Sequence, residues 1–143
     1  MPSARPTPAV SARRVALLLD TTVLIDALRG RSARDRLLGL RGSASIPWVC
    51  AINIEEVMRG LWEREQGVAE RLFDGLRIAG LSRREGERAG TWRRQFAARG
   101  VTLSQSDCLI AAAALTVDAR LATGNPKHFP MTELEVEHWP AGV

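Results

Sequence analysis

Three acids stand where an apolar chain segment begins or ends, and that placement is the first sign of chemistry. Asp20 closes VALLLD, a run of five apolar residues that reads as a strand buried on both faces. Glu56 lies in NIEEVMRG, inside a helix that Asn53 opens, and Asp107 lies in the first turn of SDCLIAAAAL, whose continuation is almost wholly apolar. Each acid also has an ordinary explanation. Glu56 completes an Asn53-x-x-Glu56 capping box, and Asp107 sits where a helix dipole favours an anion. A fourth acid, Asp26, follows Asp20 by one helix face and either holds its own helix, faces water or supports the site.

Together the three acids say more than they do singly. If their elements are neighbours in one parallel sheet, their carboxylates converge on one edge. Two like charges ~4 Å apart repel by ~4 kcal/mol at an effective dielectric near 20, so something cationic has to compensate. Oxygen donors without His or Cys select Mg²⁺ or Mn²⁺ over zinc. Such an ion polarises a phosphoryl oxygen and supplies a water-derived nucleophile, which points to phosphodiester hydrolysis.

The elements that must position these acids alternate between strand and helix. After the first strand, Thr21 or Thr22 caps a helix that Gly30 stops, and a second helix runs from Ser32 to about Leu40. SASIPWVCAI holds a short strand with Pro47 at its end or in its lead-in. Further helices are expected over NIEEVMRGLWERE, over Val68 to Leu76, over the basic stretch after a Ser82–Glu85 capping box, and over SQSDCLIAAAAL. Short strands are expected at Arg77 to Leu81, at Arg120 to Ala122 and near Val136. Alternation of this kind implies crossover units and a mainly parallel sheet with helices on both faces, where sites form beyond the carboxyl ends of the strands.

Length and composition set the frame. The 143 residues suffice for one core, with residues 1–14 read as a loose Pro-, Ala-, Ser- and Arg-rich tail and residues 15–143 as a single domain. The net charge of +4 is carried almost entirely by arginine, because Lys127 is the one lysine. Arginine's planar fork suits phosphate, which favours a nucleic-acid partner over a membrane surface, although a GC-rich genome also writes its surface cations as arginine. Cys50 and Cys108 lie far apart without ligand spacing, and read as buried thiols in a reducing cytoplasm. No stretch reaches the roughly 20 apolar residues of a membrane span.

LLLDTTVLID, NIEEVMRG, SDCLIAAAAL and LATGNPKHF resemble, in that order, the four sequence blocks of PIN-domain ribonucleases, specifically the VapC toxins of toxin-antitoxin pairs. The resemblance implies a PIN-like α/β/α sandwich, a metal-dependent endoribonuclease, and Asp20, Glu56 and Asp107 as ligands of Mg²⁺ or Mn²⁺. Glu55 is one step out of register with Gly60 and ranks below Glu56. The fourth block departs from the family pattern, which carries an acid where this chain has Asn125 or His128. Asn125 is taken as an auxiliary polar contact at the catalytic site, and His128 as a surface or phosphate-facing residue. Thr21, Thr22, Ser104 and Thr123 supply hydroxyls around the same edge, and Arg93 and Arg94 are candidates to guide an RNA backbone. The resemblance also implies a VapB-like antitoxin that covers the cleft and a homodimer of toxin subunits. Two rivals stay open: a haloacid-dehalogenase-like phosphatase, weakened because Thr22 stands where its second Asp belongs, and a PIN-like module that binds RNA or protein with weak or no catalysis.

Overall fold

The structure is a computed structural model and describes residues 16–142; the expected tail over residues 1–14 lies outside them. Five strands form one all-parallel sheet: β1 (Ala16–Leu19), β2 (Ile46–Cys50), β3 (Arg77–Ala79), β4 (Arg120–Thr123) and β5 (Val136–His138). The strand order is β3-β2-β1-β4-β5, so the first strand is central and the order reverses beside it. Leu17 pairs with Pro47 on one side and with Arg120 on the other, which fixes the register around the centre. A parallel strand covered on both faces needs apolar residues at every position, and Leu17, Leu18 and Leu19 are all buried.

Helices cover both faces. On one side lie α1 (Thr21–Leu28), α2 (Ser32–Gly39), α3 (Ala51–Arg59) and α4 (Gln66–Asp74); on the other lie α5 (Arg83–Ala97) and α6 (Gln105–Thr116). The alternating side chains of β1 feed the two cores separately. Leu17 and Leu19 join Val23, Leu24, Val49 and Val57, whereas Leu18 joins Trp92, Ile110, Ala111 and Leu121. Helix α6 is the most enclosed, with Cys108 and Ile110 through Ala114 fully buried between the sheet and α5. Its alanines let those layers approach closely, and its burial is why the sequence is apolar without a one-sided stripe.

Several boundaries differ from expectation for local reasons. Asp20, rather than Thr21 or Thr22, occupies the N-cap of α1, although its side chain makes no capping hydrogen bond. Gly30, at φ +72°, ends the turn that follows, as its freedom from a Cβ clash allows. Helix α3 starts two residues before Asn53, directly from the end of β2, so Cys50 is the N-cap and Asn53 the third helical residue. The Asn53 carboxamide oxygen accepts the Cys50 amide N–H at 3.0 Å, which replaces the expected Asn53–Glu56 box and leaves Glu56 free for other partners. Strand β3 stops at Ala79 because its partner β2 ends at Cys50. Pro47 sits in β2 before β3 begins to pair, where a missing N–H is tolerated.

Candidate metal centre at the carboxyl edge of the sheet

The central strand ends on Asp20, which is 6% exposed. Its backbone N–H continues the ladder to the Ala122 carbonyl at 2.9 Å, so the residue is held in line with β4. The carboxylate is then fixed twice. Thr123 Oγ1, at the end of β4, donates to Oδ2 at 2.7 Å, and Asn53 Nδ2 approaches Oδ1 at 3.4 Å. Asn53 is itself fully buried and also donates to Thr21 Oγ1 at 3.1 Å. That hydroxyl in turn donates a hydrogen bond to Glu56 Oε1 at 2.6 Å. A continuous chain of hydrogen bonds thus runs from Thr123 through Asp20 and Asn53 to Thr21 and Glu56.

Asp107 enters from the other layer. Ser104 caps α6 by accepting the Asp107 amide N–H at 3.1 Å, which places the acid in the first turn with its side chain 23% exposed. Burial pushes the Asp20 carboxyl above its usual value of 3.8, and the charges of Asp107 and Glu56 push it further. Hydrogen bonds from Thr123 and from the Thr21 backbone oppose the rise. Asp20 therefore feels both other acids, as convergence on one edge requires. Among the described residues, no cationic side chain pairs with Asp20 or Glu56.

This donor set fits a hard divalent cation: three carboxylates from three separate elements, one of them buried, with uncompensated negative charge. The carboxylates do not close on one point. Among the described residues, no three His, Cys, Asp or Glu side chains stand close enough as they lie to hold an ion together. An ion would therefore have to draw Glu56 and Asp107 toward the fixed Asp20.

The remaining candidates divide clearly. Asn125 is exposed, and it is its backbone N–H, donating to Thr123 Oγ1 at 3.0 Å, that ties it to the site. His128 approaches the acids more directly, with Nδ1 3.6 Å from Asp107 Oδ2. Glu55 is exposed on the outer side of α3. Thr22 Oγ1 accepts the Gly124 N–H at 3.0 Å, and a Cβ at Gly124 would press on that oxygen at 3.2 Å, so glycine lets β4 and α1 meet here. Asp26 serves another purpose: buried, it accepts the Ala33 N–H at 3.1 Å and the Gly142 N–H at 2.8 Å, joining α2 to the chain's last turn. Arg93 donates from Nε to the Leu103 carbonyl at 3.2 Å, beside the loop that leads into α6.

Sequence reasoning missed Asn53 as an organiser of the site, having read it as a cap. The available signal was the absence of a linker between VC and AINIEE: a strand that passes directly into a helix brings the helix's first turn to the strand tip, so a polar residue there faces the same edge as Asp20.

An all-parallel α/β domain with acids beyond its central strands presents its candidate site where such sheets form theirs, and the comparisons with known proteins narrow the class. A model of the PIN domain matches residues 17–132. Ribonuclease VapC10 of Mycobacterium tuberculosis is 33% identical over 118 residues, which make up 82% of this chain and 88% of that protein. Ribonuclease VapC19 of the same organism is 31% identical over 116 residues, or 80% of this chain and 92% of that one. The crystal structure of VapBC2 from Rickettsia felis bound to a promoter DNA fragment contains a chain that superposes with a TM-score of 0.76 at 23% identity, covering 87% of this chain and 98% of that one. This chain belongs to the PIN-domain family, in the company of the VapC ribonucleases.

Proposed function

We propose that the chain is the toxin of a type II toxin-antitoxin module, an endoribonuclease that hydrolyses RNA phosphodiester bonds with Mg²⁺ or Mn²⁺ held by Asp20, Glu56 and Asp107. The observation that carries this reading is the buried Asp20 carboxylate, raised above its ordinary value by burial and by the charges of Asp107 and Glu56, with no cation paired to it among the described residues. A divalent ion bound there would neutralise the cluster, polarise the scissile phosphate and activate water. The chain's own part is to hold Asp20 rigid through Thr123 and Asn53, to keep Glu56 oriented through Thr21, and to present Asp107 from the capped end of α6. Asn125 contributes through the backbone bond that orients Thr123. Arg93, pinned at the Leu103 carbonyl, and the exposed Arg94 offer guanidinium groups to the RNA backbone near the same edge.

The kinship with Ribonuclease VapC10 supports the activity, and the likeness to chains of VapBC complexes supports a VapB-like antitoxin partner; a homodimer of toxin subunits belongs to the same reading. Exposed Met58, Trp62 and Val68, on α3, the turn after it and α4, provide apolar surface for such contacts. A cytoplasmic site of action follows from the same reading, and no helix among the described residues is long and apolar enough to cross a membrane. The test is RNA cleavage by the purified chain with Mn²⁺ and with EDTA, wild type against Asp107→Ala. Cleavage is expected in one tube, wild type with Mn²⁺. Intact RNA in all tubes would favour the binding-module reading, and equal cleavage by both proteins would remove Asp107 from the site.

A further inference from the structure

One buried acid takes no part in the carboxylate cluster. Asp26, on α1, is 1% exposed, and each of its oxygens takes a single N–H: Oδ2 that of Ala33 at 3.1 Å, Oδ1 that of Gly142 at 2.8 Å. A buried carboxylate is costly unless donors meet it, and here each donor ties down a different part of the chain. The Ala33 bond seats α2. The Gly142 bond seats residues 139–142, the segment that follows β5.

That segment is fastened along its length. The Trp139 N–H donates to the Thr123 carbonyl at 2.9 Å, and the indole is buried with Leu17, Leu19, Val23 and Ala27 on the α1–α4 side of the sheet. Arg36 of α2 lies 5.5 Å above that ring and donates to the His138 carbonyl at 3.4 Å. The Ala141 Cβ and the Trp139 carbonyl oxygen cover Gly124, each 3.4 Å from where a Cβ would stand. At Gly142 the backbone turns through φ +77°, and its N–H meets Asp26.

These bonds close a ring. From Asp20 it runs along α1 to Asp26, across to Gly142, back through Trp139 to Thr123, and through the Thr123 hydroxyl to Asp20 Oδ2 at 2.7 Å. The bond from the Gly124 N–H to Thr22 Oγ1 at 3.0 Å spans its middle. Release at Gly142 therefore loosens the cover that holds Gly124 and Thr123 in place. Resting on the function proposed above, we propose that Asp26 is a positioning residue for RNA cleavage: by tying residues 139–142 over Gly124, it fixes the Thr123 hydroxyl and, through it, the orientation of Asp20.

The test uses the purified full chain and two substitutions at one position. Gly142→Pro removes the N–H and cannot adopt a positive φ, whereas Gly142→Asn keeps the N–H, tolerates that backbone and meets no atom within 4 Å at its Cβ. In metal-free protein, residue-resolved amide hydrogen exchange at Gly124 and Asn125 is expected to be about tenfold or more faster in Gly142→Pro, with the Leu18 and Leu19 amides of β1 unchanged, and to match wild type in Gly142→Asn. With Mn²⁺, Gly142→Pro is expected to lower kcat for RNA cleavage about tenfold while KM stays within about twofold, and Gly142→Asn to keep both. Adding Gly142→Pro to Asp26→Ala should cost no further kcat, since the bond is already gone; the Gly142 pair carries the test alone if Asp26→Ala does not fold. Unchanged exchange at Gly124 and Asn125 in Gly142→Pro, a rise spread equally over β1, or a kcat equal to that of an active wild type overturns the role of Asp26 and leaves the nuclease reading standing. A wild type that cleaves no RNA overturns the nuclease reading, and the catalytic role of Asp26 with it.

Discussion

Asp20 is held in a state that the folded protein would rather not keep. Its carboxyl titrates above the value it has in an unfolded chain, so between those two values the native state binds the extra proton. Stability is therefore lost as pH rises through that window, and at neutral pH the ionised group is a standing cost to the metal-free fold. Asp20→Asn removes the charge and keeps a side chain able to bond with Thr123 and Asn53. In metal-free buffer at pH 7 the variant is expected to melt above wild type, with the difference vanishing below pH 4; an equal or lower melting temperature at pH 7 would show that the cluster carries no such strain. The acids were readable in the sequence because each stood where apolar strand or helix began or ended. Their organiser was not: Asn53 looks like a cap in the local pattern, and only the direct passage of β2 into α3 makes it the residue that links Asp20 to Thr21.

At the scale of elements, the site depends on how α5 and α6 are fastened, since α6 carries Asp107. The fastening is Glu85, buried in the first turn of α5, where it accepts hydrogen bonds from the Ser82 backbone N–H and side-chain hydroxyl, both at 2.7 Å, and from Thr116 at the end of α6. Bonds from Thr116 and Ser82 hold its carboxyl well down, at about 2. A depressed acid stabilises the fold above its unfolded value of 4.5, and that contribution drains away as pH falls toward 2. Glu85→Ala should cost about 1–3 kcal/mol at pH 7 by chemical denaturation, and much less near pH 2; a loss independent of pH would mean that packing, and not the ionised hydrogen bonds, is what the residue supplies. The Ser82–Glu85 box was visible in the sequence as a helix start. Its second partner was not, because Thr116 is 31 residues away and no local pattern joins the two. The same holds for Asp26, whose partners Ala33 and Gly142 come from α2 and the chain's last turn. Strand and helix order, by contrast, follow from periodicity alone, and the boundaries that shifted did so where a partner strand ended or a helix began without a linker.

Over the whole molecule, charge is segregated by purpose. A chain of net charge +4, rich in arginine, gathers three acids at the carboxyl edge of an all-parallel sheet, at the place where the strand order reverses. Around that edge, the residues that touch the acids are neutral hydroxyls and amides, apart from His128 beside Asp107. Such an arrangement repels itself until a cation arrives, and ligand linkage then converts binding into stability of the entire fold. The direct measurement is thermal melting of wild type and of Asp20→Asn, Glu56→Gln and Asp107→Asn, each with and without saturating Mn²⁺. A shared centre raises the wild-type midpoint by on the order of 5–10 °C, and each single substitution removes most of that rise. A rise of wild-type size in any of the three variants would contradict a single ion held by acids from β1, α3 and α6.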